Sequence, residues 1–153
     1  MRSTRRILSA AATGILAVGM MTIASPMGAA HAAASDCTNG KNGFVDIPYN
    51  KTGTVINSIT LDGSRKVELH AGTINGAQHG WAIIRGATKK GDRVWMDWTQ
   101  NSGTSWIQCG PFTVQSDGSP NTSAAKKTST ASGYRFRACG DTPTKSAVCG
   151  PWW

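Results

Sequence analysis

The stretch "VWMDWTQNSGTSWIQCGPF", residues Val94 to Phe112, holds three tryptophans, one cysteine and a single acid in nineteen positions. Its two arms alternate, and its middle is a turn. Val94, Met96 and Trp98 fall on one side of an extended chain, while Trp95, Asp97 and Thr99 fall on the other. Asn101-Ser102-Gly103 supplies residues that tolerate tight or left-handed backbone, so the arms read as a hairpin: a strand over Arg93–Thr99 returning over Ser105–Cys109. Pro111 cannot donate to a ladder, which predicts a break there and a new strand over Phe112–Gln115.

The same grammar extends outward in both directions. Short runs rich in Val, Ile, Thr and aromatics predict further strands near Gly43–Ile47, Thr54–Thr60, Lys66–Ala71, Trp81–Arg85, Tyr134–Cys139 and Ala147–Trp152. Asn50-Lys51-Thr52-Gly53, Asp62-Gly63-Ser64, Asn75-Gly76 and Lys90-Gly91-Asp92 punctuate them as turns. No stretch after the N-terminal segment carries a helical period. The predicted fold is therefore all-β, a single small antiparallel β-sandwich or barrel. Ser116–Ser132, "SDGSPNTSAAKKTSTAS", has no aromatic or large aliphatic residue, so it reads as a flexible surface loop or as a strand-to-strand excursion too polar to recognise.

The N-terminus reads as an export signal. Arg2, Arg5 and Arg6 precede an uncharged run from Ile7 to Ile23, and Ala30-x-Ala32 or Ala32-x-Ala34 gives the small-x-small pattern of signal-peptide cleavage. Residues 1–34 are expected to be a secretory signal peptide and residues 35–153 the mature domain, secreted and not spanning a membrane. Arg5-Arg6 alone is a poor twin-arginine signal, which favours ordinary secretion. About 120 residues suffice for one core and not for two. All four cysteines, Cys37, Cys109, Cys139 and Cys149, remain in that domain, and an even count in a small exported protein points to two disulfides. Three pairings are possible. Gly140 to Lys145 reads as a hairpin turn, which favours Cys139–Cys149 and leaves Cys37–Cys109 to close a long loop, a bridge that stabilises by about 4 kcal/mol.

Composition excludes several function classes. The mature domain carries thirteen basic and eight acidic residues, scattered in ones and twos, which is too thin for a nucleic-acid surface. No C-x-x-C pair, D-x-D-x-D loop or G-x-S-x-G elbow is present, so neither a metal site, a cofactor nor a serine nucleophile is expected. His70 and His79 are the histidines left after export. Glu68 and His70 share one strand face and could form a carboxylate–imidazole pair, the basis of a weak-hydrolase reading that ranks third. A non-catalytic role is the leading expectation.

Six tryptophans in so small a domain leave some unaccounted for by a core. Trp98 is in phase with Val94 and Met96 and reads as core. Trp95 shares its side with Asp97 and Thr99, and Trp106 and Gln108 lie across the hairpin. An indole beside Asp, Thr and Gln suits a stacking platform for sugar rings. The expected binding residues are thus Trp95, Asp97, Trp106 and Gln108, and the expected ligand is a glycan or cell-envelope polymer. The rival is a secreted protease inhibitor or antimicrobial interaction protein acting through Ser116–Ser132. A monomer is expected.

"VWMDWT", "WIQCGPF", "YRFRACG" and the closing "CGPWW", behind an alanine-rich Arg-Arg signal segment, resemble small secreted proteins of filamentous actinobacteria whose activities are uncharacterised. The resemblance covers most of the mature domain in character and implies secretion but no activity. Size and two-disulfide β architecture are also similar to secreted actinobacterial chromoproteins and protease inhibitors, without any matching binding motif.

Overall fold

Among the described residues, ten strands form two antiparallel sheets. The computed structural model describes residues 33–153, so nearly all of the expected signal segment, residues 1–32, lies outside the described residues. The strands are β1 (Phe44–Val45), β2 (Thr54–Asp62), β3 (Arg65–Ile74), β4 (Ala77–Arg85), β5 (Arg93–Thr99), β6 (Ile107–Thr113), β7 (Asn121–Thr122), β8 (Ala125–Lys127), β9 (Arg135–Thr142) and β10 (Lys145–Cys149). The first sheet runs β1-β8-β4-β3-β2, with β7 also on β4, and the second runs β10-β9-β5-β6. The sheets pack face to face as a small sandwich. Val67, Leu69, Ala82 and Ile84 from one share a core with Val94, Met96, Trp98, Phe136 and Ala138 from the other.

Local chemistry explains the hairpins. Ile74 pairs with Ala77 across Asn75-Gly76, and both turn residues have positive φ (48° and 75°), the pairing that matches the natural strand twist. Thr142 pairs with Lys145 across Pro143-Thr144, where proline pre-sets the turn. Beyond β10 the chain keeps bonding β9: Gly150 N–H donates to Ala138 O (2.9 Å), and Phe136 and Trp153 exchange two bonds of 2.8 Å.

Both disulfides form as the turns imply. Cys139 and Cys149 are direct cross-strand partners, and Cys37–Cys109 ties the start of the domain, two short 3-10 turns at Ala34–Asp36 and Lys41–Gly43, to β6. The second bridge closes 72 residues, and the chain-entropy model puts its stabilisation at about 4 kcal/mol.

One expectation is corrected and one pair of alternatives is decided. Pro111 does not end a strand: β6 runs through it in one piece. β6 is an edge strand, and Val94 pairs with Phe112 while Met96 pairs with Cys109, so Gly110 and Pro111 together oppose Trp95 in a bulge. Ser116–Ser132 is the polar strand-to-strand excursion and not a plain loop, since it supplies β7 and β8 along β4. Between them Ser123 is buried, its N–H donates to Ala82 O and its Oγ accepts from Ala82 N–H, both at 3.0 Å. A serine there replaces the missing ladder bond, which is why no hydrophobic run marks the segment.

Candidate functional site

Alternation along the second sheet assigns one outward row to each strand: Trp95, Asp97 and Thr99 on β5, Arg137 and Cys139 on β9, and Gln108 on β6, with Trp106 just before it. The four expected binding residues do lie on this face, at different depths. Trp95 is 8% exposed and Asp97 1%, whereas Trp106 is 41% exposed. Trp95 has Cys139 as its cross-strand neighbour and Gly110 against its Cβ, so it offers no free stacking surface. It has the outward phase read from the sequence, but it is buried. Gln108 is half-buried, and its Nε2 donates to Gly110 O at 3.3 Å.

Asp97 is an anchor. Its Oδ2 accepts from Arg137 Nε at 2.8 Å and lies 2.8 Å from Arg137 Nη2, while Oδ1 has no partner. Burial pushes its carboxyl above the ordinary aspartate value, and the Arg137 guanidinium opposes that rise without cancelling it. Held from below by Asp97, the guanidinium carbon sits 4.9 Å from the Trp106 ring centre and 4.4 Å from that of Trp152. The two indoles are 6.2 Å apart and inclined at 63°. The face is thus a Trp106–Arg137–Trp152 cluster seated on a buried carboxylate.

Sequence reading missed Arg137 and Trp152 as members. The signal in the sequence that points to Arg137 is its alternation with Cys139 along β9. Placing Trp152 needed the register of the chain beyond Cys149.

The hairpin loop that presents Trp106 is rigid. Thr99, buried at the end of β5, donates its hydroxyl to Ser105 O (2.6 Å) and accepts the N–H groups of Asn101 (3.2 Å) and Gly103 (3.1 Å). Asn101 Oδ1 accepts the Ser105 N–H at 2.9 Å, and Asn101 Nδ2 donates to Ser105 Oγ at 2.9 Å. Trp106 and the polar Thr99, Gln100, Asn101 and Ser105 line a depression of about 300 Å³. An exposed aromatic ring beside amide and hydroxyl groups can stack on one face of a ring-shaped ligand and bond its edge.

The expected Glu68–His70 pair exists, with His70 Nε2 at 2.8 Å from Glu68 Oε2, but both residues are buried on the outer side of the first sheet. His70 Nδ1 accepts the Gly53 N–H at 3.0 Å, which assigns the ring proton to Nε2. Ser58 Oγ donates to Glu68 at 3.3 Å and not to the imidazole. Both ring nitrogens of His70 are thus engaged. Arg85 completes the cluster with bonds of 2.6 and 3.1 Å to the carboxylate. Burial pushes the Glu68 carboxyl up, yet bonds from Arg85 and His70 outweigh it together and hold it below the ordinary glutamate value. Next to it, Trp81 Nε1 donates to Lys51 O at 3.0 Å. This cluster straps the 51–53 segment to the sheet. His79 bonds locally, its Nδ1 lying 2.8 Å from Ala77 O.

Asp97, Cys139 and Cys149 converge closely enough for metal ligands, but both sulfurs are committed to a disulfide. Among the described residues, no helix is long and apolar enough to cross a membrane. No family model matches the chain, and no curated protein or solved structure matches it either.

Proposed function

We propose that the protein is a secreted, non-catalytic binding module for a glycan or cell-envelope polymer, engaged through Trp106. The exposure of Trp106 is the observation that carries this reading: a large indole left 41% open on a rigid hairpin, beside the amide and hydroxyl side chains of a shallow depression. Trp152 and Arg137 back it from one side, and the half-buried Gln108 borders it. Asp97 acts as the positioning residue that holds Arg137, whereas Trp95 shares the face without lining the depression. Secretion is the matching location, since two disulfides suit an oxidising compartment.

The inhibitor reading draws less support. Thr122, Ser123, Ala124 and Ala125 in the middle of Ser116–Ser132 are buried and cannot enter a protease cleft.

Retention on insoluble peptidoglycan, chitin and cellulose tests the proposal. Wild-type protein is expected to be retained on at least one of them, and Trp106→Ala to lose about tenfold or more in affinity, in keeping with an aromatic hot spot worth 1.4 kcal/mol or above. Absence of wild-type retention on every polymer, or full retention by Trp106→Ala, overturns it.

A further inference from the structure

A second depression, larger than the one beside Trp106, lies at an open margin of the sandwich, where β4, the chain after β8, β9 and the Trp153 segment meet. It has a volume of about 540 Å³, within the range of about 300–1,000 Å³ usual for small-ligand sites. Phe136, Tyr134 and Trp153 provide aromatic walls, and Gln78, Thr128 and Thr130 provide a carboxamide and hydroxyls. No charged side chain lines it.

The aromatic walls and the Thr128 rim are tied down. Trp153 is fixed by its paired bonds to Phe136. Their rings lie 6.1 Å apart, and Tyr134 meets Phe136 edge-on at 5.4 Å. The Tyr134 hydroxyl donates to Lys127 O at 2.7 Å, and Thr128 donates its N–H to Gln78 O at 2.9 Å, so the rim is bonded both to the aromatic wall and to β4. A cavity built this way exists before a ligand arrives, and binding it costs little ordering. Gln78 and Thr130 remain exposed, free to bond a ligand's edge.

We propose that this margin is a second carbohydrate subsite, for an uncharged sugar ring stacked on Trp153 and bonded at its edge by Gln78 and Thr130. No lining side chain supplies a counter-charge for an acidic or cationic ligand. The mixture of aromatic walls with small polar groups suits a ring with apolar faces and hydroxylated edges better than a lipid chain. The ligand class rests on the glycan reading above, whereas the location does not, because no residue lining this cavity lines the Trp106 depression.

The test is titration of the purified, disulfide-intact protein with N-acetylchitotetraose and with cellotetraose, followed by the indole N–H signals of Trp153 and Trp106 in heteronuclear spectra. At least one probe is expected to shift the Trp153 signal. Trp153→Ala should then weaken that event by about thirtyfold, and Thr130→Val, an exposed change that leaves the ring in place, by about two- to tenfold. Trp106→Ala should leave it unchanged. A shifted Trp106 signal with a silent Trp153 overturns this subsite and leaves the Trp106 proposal standing. Silence of both signals overturns this subsite and leaves the Trp106 proposal to the retention assay. A Trp153 shift with a proline-rich decapeptide and with neither sugar would replace carbohydrate by peptide and also overturn the subsite, as would undiminished binding by Thr130→Val.

Discussion

Asp97 and Glu68 are both buried carboxylates paired with arginine, and they titrate in opposite directions. Asp97 has one ionic partner and an unbonded Oδ1, so desolvation prevails and its carboxyl sits above the ordinary value. A native group with a raised value binds its proton more readily than the unfolded chain does, so its contribution to stability is present at low pH and is lost as pH rises through the raised value. Glu68, bonded by Arg85, His70 and Ser58, sits below the ordinary value. Its contribution is present above the unfolded value and is lost as pH falls through the lowered one. Urea midpoints between pH 3 and pH 7 are therefore expected to separate two variants. The stability of Asp97→Asn relative to wild type should improve as pH rises. Glu68→Gln should cost about 1–3 kcal/mol at pH 7 and less as the solution is acidified. Parallel pH profiles for wild type and both variants would contradict this assignment. At this scale the sequence told which side chains share a face, because alternation is a local property. It did not tell depth: Trp95 and Trp106 are the same residue type on the same face, yet one is buried and the other open.

The strands that were legible are those whose turns carry their own chemistry. Asn75-Gly76, Asp62-Gly63-Ser64 and Asn101-Ser102-Gly103 announce hairpins because few other residues adopt the backbone those turns need. The pairing of Cys139 with Cys149 follows from the same logic. β7 and β8 were illegible because a strand of two or three residues on an existing edge needs main-chain bonds and no apolar stripe. Pro111 signals a break that would split β6 into two pieces, whereas an edge strand tolerates it inside a bulge. Gly110 makes that bulge possible: its φ is +127°, and a Cβ there would lie 2.7 Å from Trp95 Cβ and 3.0 Å from Val94 O. Gly110→Ala is expected to destabilise the protein by at least about 2 kcal/mol, combining backbone strain with overpacking. Thermal or urea unfolding measures it, and a change within 0.5 kcal/mol, the span of an ordinary surface substitution, would show that the bulge relaxes freely.

The whole molecule places its unexplained aromatic surface outside its core. Trp81 and Trp98 are buried and have packing roles, while Trp106 and Trp153 remain open beside separate polar-rimmed depressions. A scaffold held by two disulfides and a sandwich core has no folding need to leave those indoles exposed, which is why binding is the function proposed. Oxidative footprinting of the protein, free and held on a retaining polymer, with mass-spectrometric readout at each tryptophan, tests that claim most directly. Trp106 is expected to be modified in the free protein and protected on the polymer, with Trp95 and Trp81 unmodified in both states. Equal modification of Trp106 in the free and the retained protein would contradict the account.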